Sequence, residues 1–90
     1  MYTKIISVRP MNDYHVFLEF ADGMTRTLDV KPWIRGNWYG ELANVEYFKK
    51  VRPHEFPGAI EWPDGQDIAP EDILKFGKVC NPREAVAYSA

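Results

Sequence analysis

Apolar and polar residues alternate cleanly over two neighbouring runs. In residues 14–20 (YHVFLEF), Tyr14, Val16, Leu18 and Phe20 share one face, and His15, Phe17 and Glu19 share the other. Ala21-Asp22-Gly23 follows, and then residues 24–30 (MTRTLDV). This predicts a β-hairpin, and the pattern also selects its register. A two-residue Asp22-Gly23 loop would scatter apolar residues over both faces. A three-residue loop, with Gly23 in the left-handed conformation as a bulge, sets Phe20 opposite Met24, Val16 opposite Leu28 and Tyr14 opposite Val30. Arg26 then faces Leu18, with its stem over apolar surface and its head in water. The outer face carries His15, Glu19, Thr25, Thr27 and Asp29.

Residues 4–9 (KIISVR) are rich in β-branched side chains and stop at Pro10. They read as a strand with Ile6 and Val8 on one face and Ile5 and Ser7 on the other. Pro32 opens a helical turn at 31–35. Gly36-Asn37-Trp38-Tyr39-Gly40 reads as a loop holding two large aromatics between glycines. Asn44 caps a helix over 45–50, and Leu42, Val45, Phe48 and Val51 recur at helical spacing toward the sheet. Residues 51–56 and 59–62 read as two more strands, the first confined to an edge by Pro53. Pro63-Asp64-Gly65 is a turn. Pro70 starts a last helix, with Glu71 and Asp72 in its first turn, apolar contacts from Ile73, Leu74 and Phe76, and a stop at Gly77. Residues 79–90 are weakly patterned and read as a C-terminal tail. The expected fold is α+β: an antiparallel sheet (three-stranded meander, helix, two strands, helix) with helices on one face, forming one domain over residues 1–78.

Composition narrows the function classes. The 90 residues are 46% hydrophobic, enough for one packed core and too few for two domains. A net charge of -2 with interspersed signs provides no basic field for nucleic acid. Cys80 is the only cysteine, which excludes an internal disulfide and speaks against a cysteine-based zinc site. With no apolar leader and no run of spanning length, the expected compartment is the cytoplasm.

Four groups are candidates for chemistry. Asp64, Asp67, Glu71 and Asp72 could offer oxygen ligands to a divalent cation, but each also has a local role. Asp64 builds a turn, Asp67 caps backbone donors ahead of the helix, and Glu71 and Asp72 match the helix dipole. His15 faces Asp29 in the chosen register, and His54 neighbours Glu55. No nucleophile motif accompanies either histidine, so His15–Asp29 reads as a surface pair across strands. Lys49, Lys50 and Arg52 read as a helix C-terminus complementing its dipole. No metal, cofactor or catalytic residue is assigned. The aromatic set is the strongest candidate: Trp38 and Tyr39 on their loop, with Trp33, His54 and Phe56, mark a surface for a protein partner.

Two motifs carry a family resemblance. One is Phe20-Ala21-Asp22-Gly23 followed by Leu28-Asp29. The other is Ile60-Glu61-Trp62-Pro63-Asp64-Gly65-Gln66-Asp67-Ile68-Ala69-Pro70-Glu71. In these the chain resembles the bacterial family catalogued as domain of unknown function 2442, over residues 5–76. The resemblance implies the small α+β domain described above and no established activity. It also implies a gene context that is toxin–antitoxin-like, beside a second small protein, and some members carry an added helix-turn-helix domain. The reading is therefore a cytoplasmic protein-interaction module, an antitoxin-like partner of a small protein or a homodimer. The alternatives are a small enzyme or metal-binding domain using His15/Asp29 or Asp64/Asp67, and a transcription-regulatory component acting within a complex.

Overall fold

The computed structural model describes residues 2–81. Strand β1 (Ile5–Pro10) enters a tight turn in which Asp13 and Tyr14 both adopt positive φ, at 58° and 57°. The His15 N–H closes this turn on the Asn12 carbonyl, the arrangement that matches strand twist in a short hairpin. Strands β2 (His15–Phe20) and β3 (Thr25–Asp29) then form the second hairpin. Its register is the one the alternation predicts: Val16 faces Leu28, Leu18 faces Arg26 and His15 faces Asp29. Gly23 holds a φ of 90° in the loop.

After β3 the chain makes a 3₁₀ turn at Lys31–Trp33 and a helical turn α1 (Gly36–Tyr39). A further 3₁₀ turn at Gly40–Ala43 leads to α2 (Val45–Phe48). The Asn44 side chain caps α2 by accepting the Glu46 N–H at 3.0 Å. Strands β4 (Arg52–Pro53), β5 (Ile60–Glu61) and β6 (Asp67–Ile68) follow. Helix α3 (Pro70–Phe76) has proline in its first turn, and β7 (Lys78–Val79) comes after it.

The expected α+β class holds, with antiparallel pairing throughout. The strands form two sheets, where one was expected: β1-β2-β3-β7 and β4-β5-β6. The main core lies between the inner face of the larger sheet (Ile5, Val16, Leu18, Phe20, Leu28, Val30) and a second layer. That layer supplies Leu42, Phe48, Val51, Ile60, Trp62, Ile68 and Ile73. Helices α2 and α3 contribute Phe48 and Ile73 to this main core, so they pack on one face of the larger sheet. Trp62 is fully buried, and its indole N–H donates to the Phe48 carbonyl at 2.9 Å.

Several local expectations are corrected. A bulge between Ile5 and Ser7 resets the alternation of β1. Ile5 and Val8 therefore pack on the core, while Ile6 is exposed. Val45 is exposed despite its helical spacing, because α2 is a single turn and shows Phe48 to the core. Leu74 and Phe76 are also exposed, and Ile73 alone of the three is buried. Asp67 does not cap α3: it sits in β6, and the helix has Ala69 before it with no side-chain cap. Val79 and Cys80, read as the start of a loose tail, lie on the larger sheet. Arg26 faces Val79, and the Cys80 N–H donates to the Thr25 carbonyl at 3.1 Å. The Thr25 hydroxyl donates in turn to the Cys80 carbonyl. Phe17, on the outer face, is buried with Met11 beside Cys80 and under the Arg9 guanidinium. The rest of that tail, residues 82–90, lies outside the described residues.

Candidate functional site

The segment after β3 builds one wall of a surface groove. The Asp29 carboxylate accepts the Lys31 N–H at 2.9 Å, and the Trp33 N–H returns to the Val30 carbonyl at 2.9 Å. This winds Lys31–Trp33 into its turn and leaves the Trp33 ring half-buried, packed against the main core. Gly36, at a φ of 75°, reverses the chain into α1. Tyr39 then donates its hydroxyl to the Asp67 carbonyl at 2.8 Å, which ties α1 to β6. The opposite wall is α3, where Asp72 and Phe76 fall one turn apart on the same side. Trp33 and Phe76 meet edge to face, with ring centroids 5.8 Å apart.

Together Asp29, Pro32, Trp33, Arg35, Tyr39, Asp72 and Phe76 line a hollow of about 590 Å³. Asp29 and Phe76 also line a second hollow, of about 290 Å³, with Met11, His15, Thr27 and Lys78. Asp29 and Phe76 thus border both hollows. Burial pushes the Asp29 carboxyl up. The Lys31 N–H and ammonium, with His15 nearby, outweigh that and hold it below its ordinary value. The Lys31 ammonium lies 2.8 Å from Asp13 and 3.1 Å from Asp29 and is raised by the hydrogen bond to Asp13 first.

Of the residues expected to meet a partner, Trp33 and Tyr39 line the groove and three do not. Trp38 is half exposed, but its ring lies beside Gly65 and its carbonyl accepts from Gln66 at 3.1 Å. His54 sits on the smaller sheet, with Nε2 at 3.8 Å from Glu61 and 3.9 Å from Asp67. Its Nδ1 accepts the Phe56 N–H at 2.9 Å. A ring nitrogen that accepts leaves the proton on Nε2, so His54 turns a donor and not a lone pair toward those two carboxylates. That tautomer makes the trio a polar contact and a poor ligand set. Phe56 is exposed on the loop beyond.

The acidic candidates do not converge. Asp67 faces His54, while Asp64 pairs with Glu41, and that contact is the main reason the Glu41 carboxyl is raised. Between them runs a polar chain. Buried Gln66 donates to Glu41 at 3.0 Å and accepts from the Tyr47 hydroxyl at 2.8 Å, and that hydroxyl accepts the Asp64 N–H at 2.9 Å. Among the described residues no group of three or more His, Cys, Asp or Glu is placed to hold a metal ion. His15 does face Asp29 across the strands, and its Nδ1 lies 2.9 Å from the Asp13 carbonyl. Arg35 escaped the reading of the sequence, and Asp72 and Phe76 were read as a possible cation ligand at a helix start and as an apolar contact, not as residues lining a groove. The available signal was the four-residue spacing of Asp72 and Phe76, which puts an aromatic and a charge on one helix face.

The fold defines a small α+β domain of two antiparallel sheets sharing one core, with a groove where α3 meets the segment after β3. A family model, Protein of unknown function (DUF2442), matches residues 5–78, and the chain belongs to that family. No curated protein and no solved structure matches it. No helix among the described residues is long and apolar enough to cross a membrane.

Proposed function

We propose that this domain works by binding a second protein, as an antitoxin-like partner would, and that the groove is the contact surface. The observation that carries this reading is the groove's composition. Trp33, Tyr39 and Arg35 are the three residue types most enriched where binding energy concentrates, and Phe76 completes the wall. The rings are rigid, and Tyr39 is anchored through its hydroxyl, so little side-chain freedom is lost on contact. Occlusion of the partner's surface needs no bond chemistry. A single thiol suits a reducing compartment, and we place the work in the cytoplasm.

The test is affinity capture from the native cell with three tagged proteins: wild type, Trp33→Ala/Phe76→Ala and Phe56→Ala. Phe56 and Phe76 are exposed and Trp33 is half-buried against the core, so circular dichroism establishes first that all three proteins are folded. One protein, present in stoichiometric amount with wild type and Phe56→Ala and lost with the double variant, supports the reading. A partner retained by the double variant, or no stoichiometric partner at all, rejects it.

A further inference from the structure

The connection from β4 to β5 is held by hydrogen bonds of two kinds. Two join backbone groups: the His54 N–H donates to the Ala59 carbonyl at 2.9 Å, and the Ala59 N–H to the Phe56 carbonyl at 3.3 Å. The third runs from the Phe56 N–H to His54 Nδ1 at 2.9 Å, and only a neutral ring with its proton on Nε2 can accept it. The charged groups around the ring favour the opposite state. Glu61 on β5 and Asp67 on β6 hold carboxylate oxygens 3.8 and 3.9 Å from Nε2. Neither is within hydrogen-bond reach while Nδ1 stays on Phe56. Arg52 on β4 lies 3.2 Å from the other Glu61 oxygen and offsets part of that pull. Arg9, the charged residue of the neighbouring β1, is engaged over the Phe17 ring, and Glu55 is exposed on the loop itself.

We propose that His54 is a proton-operated latch on this loop. Imidazole is the side chain that ordinarily changes charge between about pH 5 and 8. When the ring takes a proton from water at Nδ1, that atom becomes a donor and meets the Phe56 N–H donor against donor. The bond between them is lost. The imidazolium moves toward Glu61 and Asp67, where a shorter approach gains a charge-assisted hydrogen bond. Residues 55–58, which carry the exposed Phe56 ring, are then left with the backbone bonds through Ala59. The two arrangements exclude each other, because one ring position cannot serve both Phe56 and the carboxylates. The latch belongs to the smaller sheet and does not depend on the groove.

The full chain labelled with ¹⁵N gives a direct test, the scalar coupling across the bond from the Phe56 N–H to Nδ1. The coupling is expected at about pH 8 and should vanish at about pH 5, as the ring nitrogen shifts pass from the Nε2–H tautomer to the imidazolium. Solvent exchange of the Phe56 amide, relative to an unstructured amide at the same pH, should quicken about fivefold, the scale of one hydrogen bond. His54→Asn is the control: its Oδ1 accepts the same N–H two residues on and does not titrate, so its exchange ratio should not change with pH. Glu61→Gln and Asp67→Asn should each lower the ring's midpoint by on the order of half a pH unit. A ring that carries its proton on Nδ1 at about pH 8, or shows no coupling there, overturns the proposal. So does a wild-type Phe56 amide equally protected at both pH values, one whose loss of protection recurs in His54→Asn, or a midpoint that neither carboxylate substitution moves.

Discussion

Glu41 carries an electrostatic conflict that a single substitution can expose. Its carboxyl lies against Asp64 and accepts a proton more readily than an isolated glutamate, whose ordinary value is 4.5. The sign follows from linkage. A carboxyl raised in the folded state favours folding when protonated, so its contribution is full below that ordinary value and lost as pH rises through the folded one. Glu41→Gln keeps an acceptor for the Gln66 amide and offers a donor to Asp64. Its urea midpoint should exceed that of wild type at neutral pH, and the gap should close on acidification. A variant less stable than wild type at neutral pH would sink this account. Gln66 shows why such pairs are hard to read in a sequence. It is fully buried, yet nothing in its neighbours' pattern marks it as an interior residue. Its burial depends on Tyr47, Glu41 and the Trp38 carbonyl, which come from other elements.

Turns show the same contrast at the level of elements. Gly23 and Gly58 both have positive φ, at 90° and 87°, but their surroundings differ. A Cβ at Gly23 meets nothing within 4 Å. A Cβ at Gly58 would stand 3.0 Å from the Pro70 Cβ and 3.1 Å from the Tyr2 Cβ. Gly23→Ala should cost about 1–2 kcal/mol of backbone strain alone. Gly58→Ala should cost roughly 1–3 kcal/mol beyond that, for the overlap with α3's first residue. Equal urea midpoints for the two variants would show that the approach to Pro70 relaxes freely. The elements legible in the sequence were those with several residues of one period or a specific terminal residue. The β2–β3 register, the Asn44 cap and the Pro70 helix start are of this kind. Strands β4 to β7 have two residues each, too few to show any alternation. The bulge at Ile6 likewise leaves no mark in a run of β-branched residues.

Across the whole molecule, the groove assembles residues from four places: the end of β3, the turn after it, α1 and α3. Trp33 and Tyr39 were singled out in the sequence by residue type, and both line the groove. Their union with Phe76 and Arg35 depends on how α3 returns across the end of β3, which no local pattern encodes. The same return delivers β7 to the edge of β3, where it covers that strand's outer backbone groups. A chain ending at Gly77 should therefore bare the β3 edge and uncover Phe17. We expect a lower urea midpoint and concentration-dependent self-association in sedimentation. A truncated chain that stays monomeric and as stable as the full one would show that β7 adds nothing.

Pairing β3 with β7 also has a consequence in time. Residues within the first third of the chain supply both hairpins, so these can close while synthesis continues. Their third strand must then wait, one side unpaired, until Cys80 has left the ribosome. During that interval the nascent chain presents a growing protein with an open strand to its crowded surroundings. The Thr25–Cys80 contacts join the most C-terminal residue of the described sheet to that open edge.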